Sequence, residues 1–240
     1  MTEMKILHLY YDIMNLYGDY ANISALCRMI EKSGEVCTVD RLSLSDNAVL
    51  DEYDFIFVGS GTEKHQKLVL EDFKKYADSF KAYIGSGKVA LFTGNSFEML
   101  GKTITDCVEH SYDGIGLFDF TVKEQNKTRV TADVIYEADF LDKPIVGFVN
   151  KCSEISGIAN PLFQVTFGLG DNAESKTEGV RLNNFFGTHL TGPAFIKNPH
   201  FLAYAAELVL GKGPVSDYLV HECAGFEITL SELKARMNSN

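Results

Sequence analysis

No stretch of about 18 or more apolar residues occurs in the chain, so no membrane-spanning helix is expected. Positive charge is in short supply: 22 Lys and Arg stand against 33 Asp and Glu, a net charge of −11. That imbalance opposes binding to nucleic acid phosphates or to an anionic membrane. The five cysteines, Cys27, Cys37, Cys107, Cys152 and Cys223, are scattered and odd in number. They form no C-x-x-C pair and no zinc spacing, which excludes a disulfide framework and argues for a reduced, cytoplasmic protein. No signal peptide is expected, because the first ten residues lack a long apolar region and a small-residue cleavage site. There is also no internal repeat, low-complexity segment or Pro/Gly/Ser linker, so one domain over residues 1–240 is expected. No metal ion and no cofactor are expected.

What is present is an ordinary globular composition, 45% hydrophobic and 23% charged, arranged in alternating strand and helix patterns. Residues 5–10 (KILHLY), 36–39, 54–58 (DFIFV) and 89–92 read as strands. Between them, Ile23, Leu26, Cys27 and Ile30 recur at the interval of one helix face, and residues 66–83 read as one long helix. Strand–helix–strand units with short links predict a parallel sheet covered by helices. After residue 100 the pattern turns to β-type runs at 116–122, 129–136, 144–149 and 185–190. A further helix is punctuated by Asn198 as cap, Pro199 in the first turn and Gly211 just past the end. A helical tail is expected over residues 214–240.

Four stretches carry more than fold. They are residues 9–22 (LYYDIMNLYGDYAN), 59–66 (GSGTEKHQ), 93–101 (TGNSFEMLG) and 187–193 (GTHLTGP), the last continuing to Lys197-Asn198-Pro199. In this order they resemble the cobyric-acid-synthase type of class I glutamine amidotransferases. The NLYGD run and Gly147–Asn150 (GFVN) bring the chain nearest to the glutaminase subunits that serve cell-wall (lipid II) amidation. The resemblance spans residues 4–211. It implies a flavodoxin-like α/β three-layer sandwich with a mostly parallel sheet. It also implies a Mur-ligase-like synthetase as partner, and a pocket for glutamine or another small molecule.

In that family the 93–101 stretch is a nucleophile elbow carrying cysteine, and the histidine of an "HGP" motif moves the proton. Here the cysteine position holds Gly94 and the histidine position Thr191. A glycine has no side chain to activate, so neither half of the proton-transfer pair remains. The resemblance places the oxyanion and pocket groups at Gly59, Gly61 and Asn95. Ser96, a residue or two along the elbow, and His189, two residues before Thr191, are the nearest groups able to assist. Thr62 and Lys151 also depart from the family's usual residues. The carboxylates of Asp12, Asp19 and Glu63 are expected to cap helices or face solvent. Three functions follow: a subunit without glutaminase chemistry, a small-molecule binder on an emptied scaffold, or an amidotransferase with an unrecognised nucleophile.

Overall fold

The computed structural model describes residues 2–125 and 129–239. Its first half is the expected alternation. Strands β1 (Glu3–Leu9), β2 (Val36–Leu42), β3 (Phe55–Val58) and β4 (Val89–Thr93) lie parallel, in the order β2-β1-β3-β4. Strands β3 and β4 are buried on both faces, which is why they read as unbroken apolar runs. One face of the sheet, through Phe55, Phe57 and Leu91, packs on helices α1 (Tyr20–Lys32) and α5 (Pro199–Leu210). The other, through Ile56, Val58 and Phe92, packs on α2 (Glu63–Phe73) and α3 (Ala77–Gly85). The result is a three-layer sandwich.

The second half continues the same sheet in the opposite sense. β13 (Phe185–Thr188) pairs parallel with β4. Beyond it β12 (Thr177–Leu182), β11 (Pro161–Phe167), β8 (Val130–Glu137) and β9 (Ile145–Lys151) follow, each pairing antiparallel. The sheet is therefore mixed, parallel on one side of β13 and antiparallel on the other. A second sheet, in the order β10-β7-β5-β6, is built from Ser153–Ser156, Thr121–Glu124, Thr103–Thr105 and Ser111–Asp113. Helix α6 (Val220–Met237) lays Phe226, Leu230 and Leu233 on Ile135 and Val146 of the antiparallel half.

Several boundaries differ from the sequence reading. The expected helix over 66–83 is two helices, separated by a tighter turn at Lys74–Tyr76. That turn carries the Tyr76 side chain inward, where its hydroxyl donates to Asp46 O and accepts from Ala48 N–H. The run at 116–122 is a strand only from Thr121. The tail is helical from Val220, not from 214. Asn198 does sit at the start of α5, but its side chain makes no cap bond and instead holds both Val146 N–H and Val146 O of β9. Gly211 ends α5 in the left-handed conformation, φ +65. Among the described residues no helix is long and apolar enough to cross a membrane.

One polar residue inside this core gives the fold a pH dependence. His8 of β1 is buried against Phe57, with ring centroids 5.3 Å apart, and its Nε2 has no hydrogen-bond partner. Burial, reinforced by Arg41, lowers its pKa to about 4. The unfolded chain, with an ordinary histidine near ~6.5, binds more protons between those values. The stability this neutral ring allows is present above ~pH 6.5 and is lost as pH falls through that window towards 4. His8→Leu should flatten the acid limb of the stability curve, measured by urea denaturation at pH 7.5 and pH 5. An unchanged difference between the two pH values would refute this origin.

Candidate active-site pocket

The pocket forms where the parallel strands end, the place where open α/β sheets put their ligands. At the end of β4 the chain turns at Gly94, φ +61, into the tight helical turn Gly94–Leu100. Gly61, Gly94, Asn95 and Thr191 line one cavity together with Ser60. Its water-accessible core is about 20 Å³, room for a single water.

The reason is Ser60. A Cβ added at Gly94 would lie 2.4 Å from the Ser60 Cβ and 2.7 Å from its Oγ. The serine side chain thus occupies the volume into which a nucleophile at position 94 would project. Ser60 is fixed there by Asp19, a buried carboxylate rather than the capping or solvent-facing group expected. Asp19 Oδ2 accepts from Ser60 N–H at 2.6 Å, from Ser60 Oγ and from Thr93 Oγ1, while Oδ1 accepts from Gly192 N–H at 2.9 Å. Burial pushes Asp19 up to about 6 even though all four donors favour its charged form.

The other sequence candidates sort as follows. Thr191 lines the cavity, but its N–H and its hydroxyl both donate to Phe148 O, at 2.9 and 3.0 Å. A hydroxyl so placed offers no nitrogen to take a proton. Gly61 N–H donates to Asn95 Oδ1 at 3.0 Å, so the Gly61 donor is occupied within the protein. Gly59 is not part of the cavity lining; it packs against Met14 O and Asp19, leaving no room for a Cβ. Ser96 is fully buried, donating to Val58 O and Thr93 O, and takes no part in the cavity. His189 lies behind the cavity wall, its Nε2 3.0 Å from Glu98 Oε1.

Charged groups make up the rest of the wall. Arg129 pairs with Glu63 and donates to Asn150 Oδ1 at 3.1 Å, and Asn150 in turn donates to Tyr17 Oη at 2.9 Å. Glu63, in the first turn of α2 and still partly exposed, is therefore also a wall residue. Cys152 lines the cavity, but burial and its bond to Glu63 push the thiol up to about 12. The thiolate is the reactive form of cysteine, and these surroundings disfavour it. Glu98 reaches the cavity from the elbow turn and accepts from Gln66 Nε2 at 2.7 Å and from Ser153 Oγ. Tyr17, Glu63, Glu98 and Asn150 lie in the stretches that carry the family resemblance, whereas no sequence motif pointed to Arg129.

A strand–turn–helix elbow facing the 59–61 and 187–193 loops defines an amidotransferase-type domain. A family model for the CobB/CobQ-like glutamine amidotransferase domain matches residues 5–199, and the chain belongs to that family. It is 32% identical over 207 residues to the lipid II isoglutaminyl synthase (glutamine-hydrolyzing) subunit GatD of Staphylococcus aureus strain N315, covering 86% of this chain and 84% of that one. It is 34% identical over 205 residues to the subunit of the same description from Streptococcus pneumoniae strain R6, covering 84% and 78%. Among solved structures, a glutamine amidotransferase superposes with a TM-score of 0.54 at 16% identity, covering 85% of this chain and 98% of that one. A glutamine amidotransferase from Thermotoga maritima gives 0.50 at 13% identity, covering 97% and 92%. Both show the fold.

The contact between positions 94 and 60 is open to a direct test. Gly94→Ala should destabilise the protein by about 2–4 kcal/mol, from overpacking and from a side chain at positive φ. Ser60→Gly in the same chain should recover part of that loss, giving a coupling energy of about 1 kcal/mol or more in a double-mutant cycle by urea denaturation. Strict additivity would show that Ser60 is not what fills the site.

Proposed function

We propose that this chain is a glutamine amidotransferase-like subunit without glutaminase activity. On this reading it associates with a Mur-ligase-like amidating enzyme of cell-wall precursor synthesis and stabilises it, while that partner takes free ammonia. Family membership and the likeness to GatD subunits support the assembly. The observation that carries the loss of chemistry is the replacement at Gly94, where Ser60 stands in the nucleophile's volume. Thr191 in the histidine position agrees with it. The surroundings of Cys152 support the same reading, since burial and Glu63 push its thiol up to about 12.

Two measurements test the proposal. Purified protein should release no ammonia from glutamine above background, alone or with the synthetase present; a turnover of about 1 per second, within the common enzyme range, would overturn it. Coexpressed with a Mur-ligase-like protein from the same source, the chain should copurify as a stoichiometric complex through gel filtration. A synthetase that migrates alone, and amidates equally well without this chain, would remove the assembly half of the proposal.

A further inference from the structure

Behind the cavity wall lies a second polar cluster, contributed by three segments. Asp171 precedes β12, Glu178 belongs to β12, and His189 follows β13. All three are buried, at 3%, 0% and 1% exposure. One ligand atom from each lies within 4.8 Å of the others. No sequence spacing joins them, so nothing in the sequence pointed to the cluster.

We propose that Asp171, Glu178 and His189 form a binding site for a divalent transition-series cation of the zinc class. The imidazole points to this site first. His189 Nε2 is engaged by the Glu98 carboxylate at 3.0 Å. Its Nδ1 is buried, has no hydrogen-bond partner and faces Glu178 Oε1 at 3.3 Å. A carboxylate on one ring nitrogen, with the other nitrogen turned towards further carboxylates, is the arrangement that orients metal-binding histidines.

Charge points to it as well. Glu98, Asp171 and Glu178 place three buried carboxylates around one buried lysine, Lys151, whose Nζ donates to Gly170 O and Asp171 O at 2.7 Å each. Uncompensated buried charge is strongly unfavourable, and a divalent cation on a neutral imidazole would bring this group to neutrality. One nitrogen and two carboxylate oxygens suit zinc and its neighbours better than magnesium or calcium, which prefer all-oxygen shells. Bonds of ~2.0–2.2 Å require the three side chains to draw together by several tenths of an ångström.

The site would clamp β12, β13 and the 168–171 segment, and through Glu98 it would brace the elbow turn. It does not depend on whether the chain hydrolyses glutamine or on any partner. The test uses the full chain, stripped with chelator and then exposed to Zn²⁺ or Co²⁺ before desalting. We expect one metal per chain by elemental analysis, and a rise in Tm of about 5 °C or more at a hundredfold excess over Kd. The Co²⁺ form should show d–d absorption without a thiolate charge-transfer band. Asp171→Asn keeps an oxygen for the Gly179 N–H bond, and should weaken the metal at least ~10-fold. Retention of less than ~0.1 metal per chain with no Tm shift would overturn the site. A thiolate band would do the same by assigning the metal to cysteine, and so would an Asp171→Asn variant that binds like the wild type. Should that variant not fold, stoichiometry and the Co²⁺ spectrum of the unaltered chain still decide.

Discussion

The pocket end of this molecule is organised around one buried carboxylate. Asp19 begins α1 and reaches three other segments: the turn after β3 through Ser60, the end of β4 through Thr93, and the loop after β13 through Gly192. Each is a place where a strand stops and its backbone groups lose their ladder partners. One side chain satisfies donors from all three, and so sets how far apart the loops stand. The adjoining Asn22 extends the same tie, donating to Gly192 O and accepting from Phe195 N–H. Everything that lines the cavity hangs from this knot.

From it follows how closely the polar groups of the pocket are tied to one another. Because Ser60 is held by Asp19 and not by a ligand, its side chain stays in the volume facing Gly94. The elbow keeps its shape, a positive-φ residue between strand and helical turn, yet the neighbouring polar groups bond to each other. Gly61 is satisfied by Asn95, Thr191 by Phe148 and Cys152 by Glu63. Catalytic sites keep donors waiting for charge that develops in the reaction; here the Gly61 N–H is occupied by Asn95 Oδ1 in the resting state.

Much of the fold was legible because its elements obey strong local rules. β3 and β4 are continuous apolar runs, and α5 has proline at its start and glycine at its end. The antiparallel half was harder to read. β12 carries Glu178 in a fully buried position and Gly179 at φ +71, features that look like a solvated turn. Its burial is explained only by Thr188 and His189, ten and eleven residues away. The order of motifs pointed to Gly94, Thr191, Gly61 and Asn95, which the fold gathers around one cavity. It gave no hint that Ser60 fills that cavity, since Gly59-Ser60-Gly61 reads as a turn whatever its hydroxyl does. The break between α2 and α3 was hidden for the same reason: Tyr76 turns inward to reach a loop nearly thirty residues earlier.

The contact between Ser60 and Gly94 also has a bearing on descent. Among proteins of this family, reacquiring a cysteine at position 94 would be one codon change in a chain whose facing residue is glycine. With a serine there, that step meets the Ser60 side chain, and replacing Ser60 by glycine removes its hydroxyl's bond to Asp19 while leaving the backbone N–H bond in place. The two positions are therefore tied: a side chain enters at position 94 only together with a smaller residue at position 60.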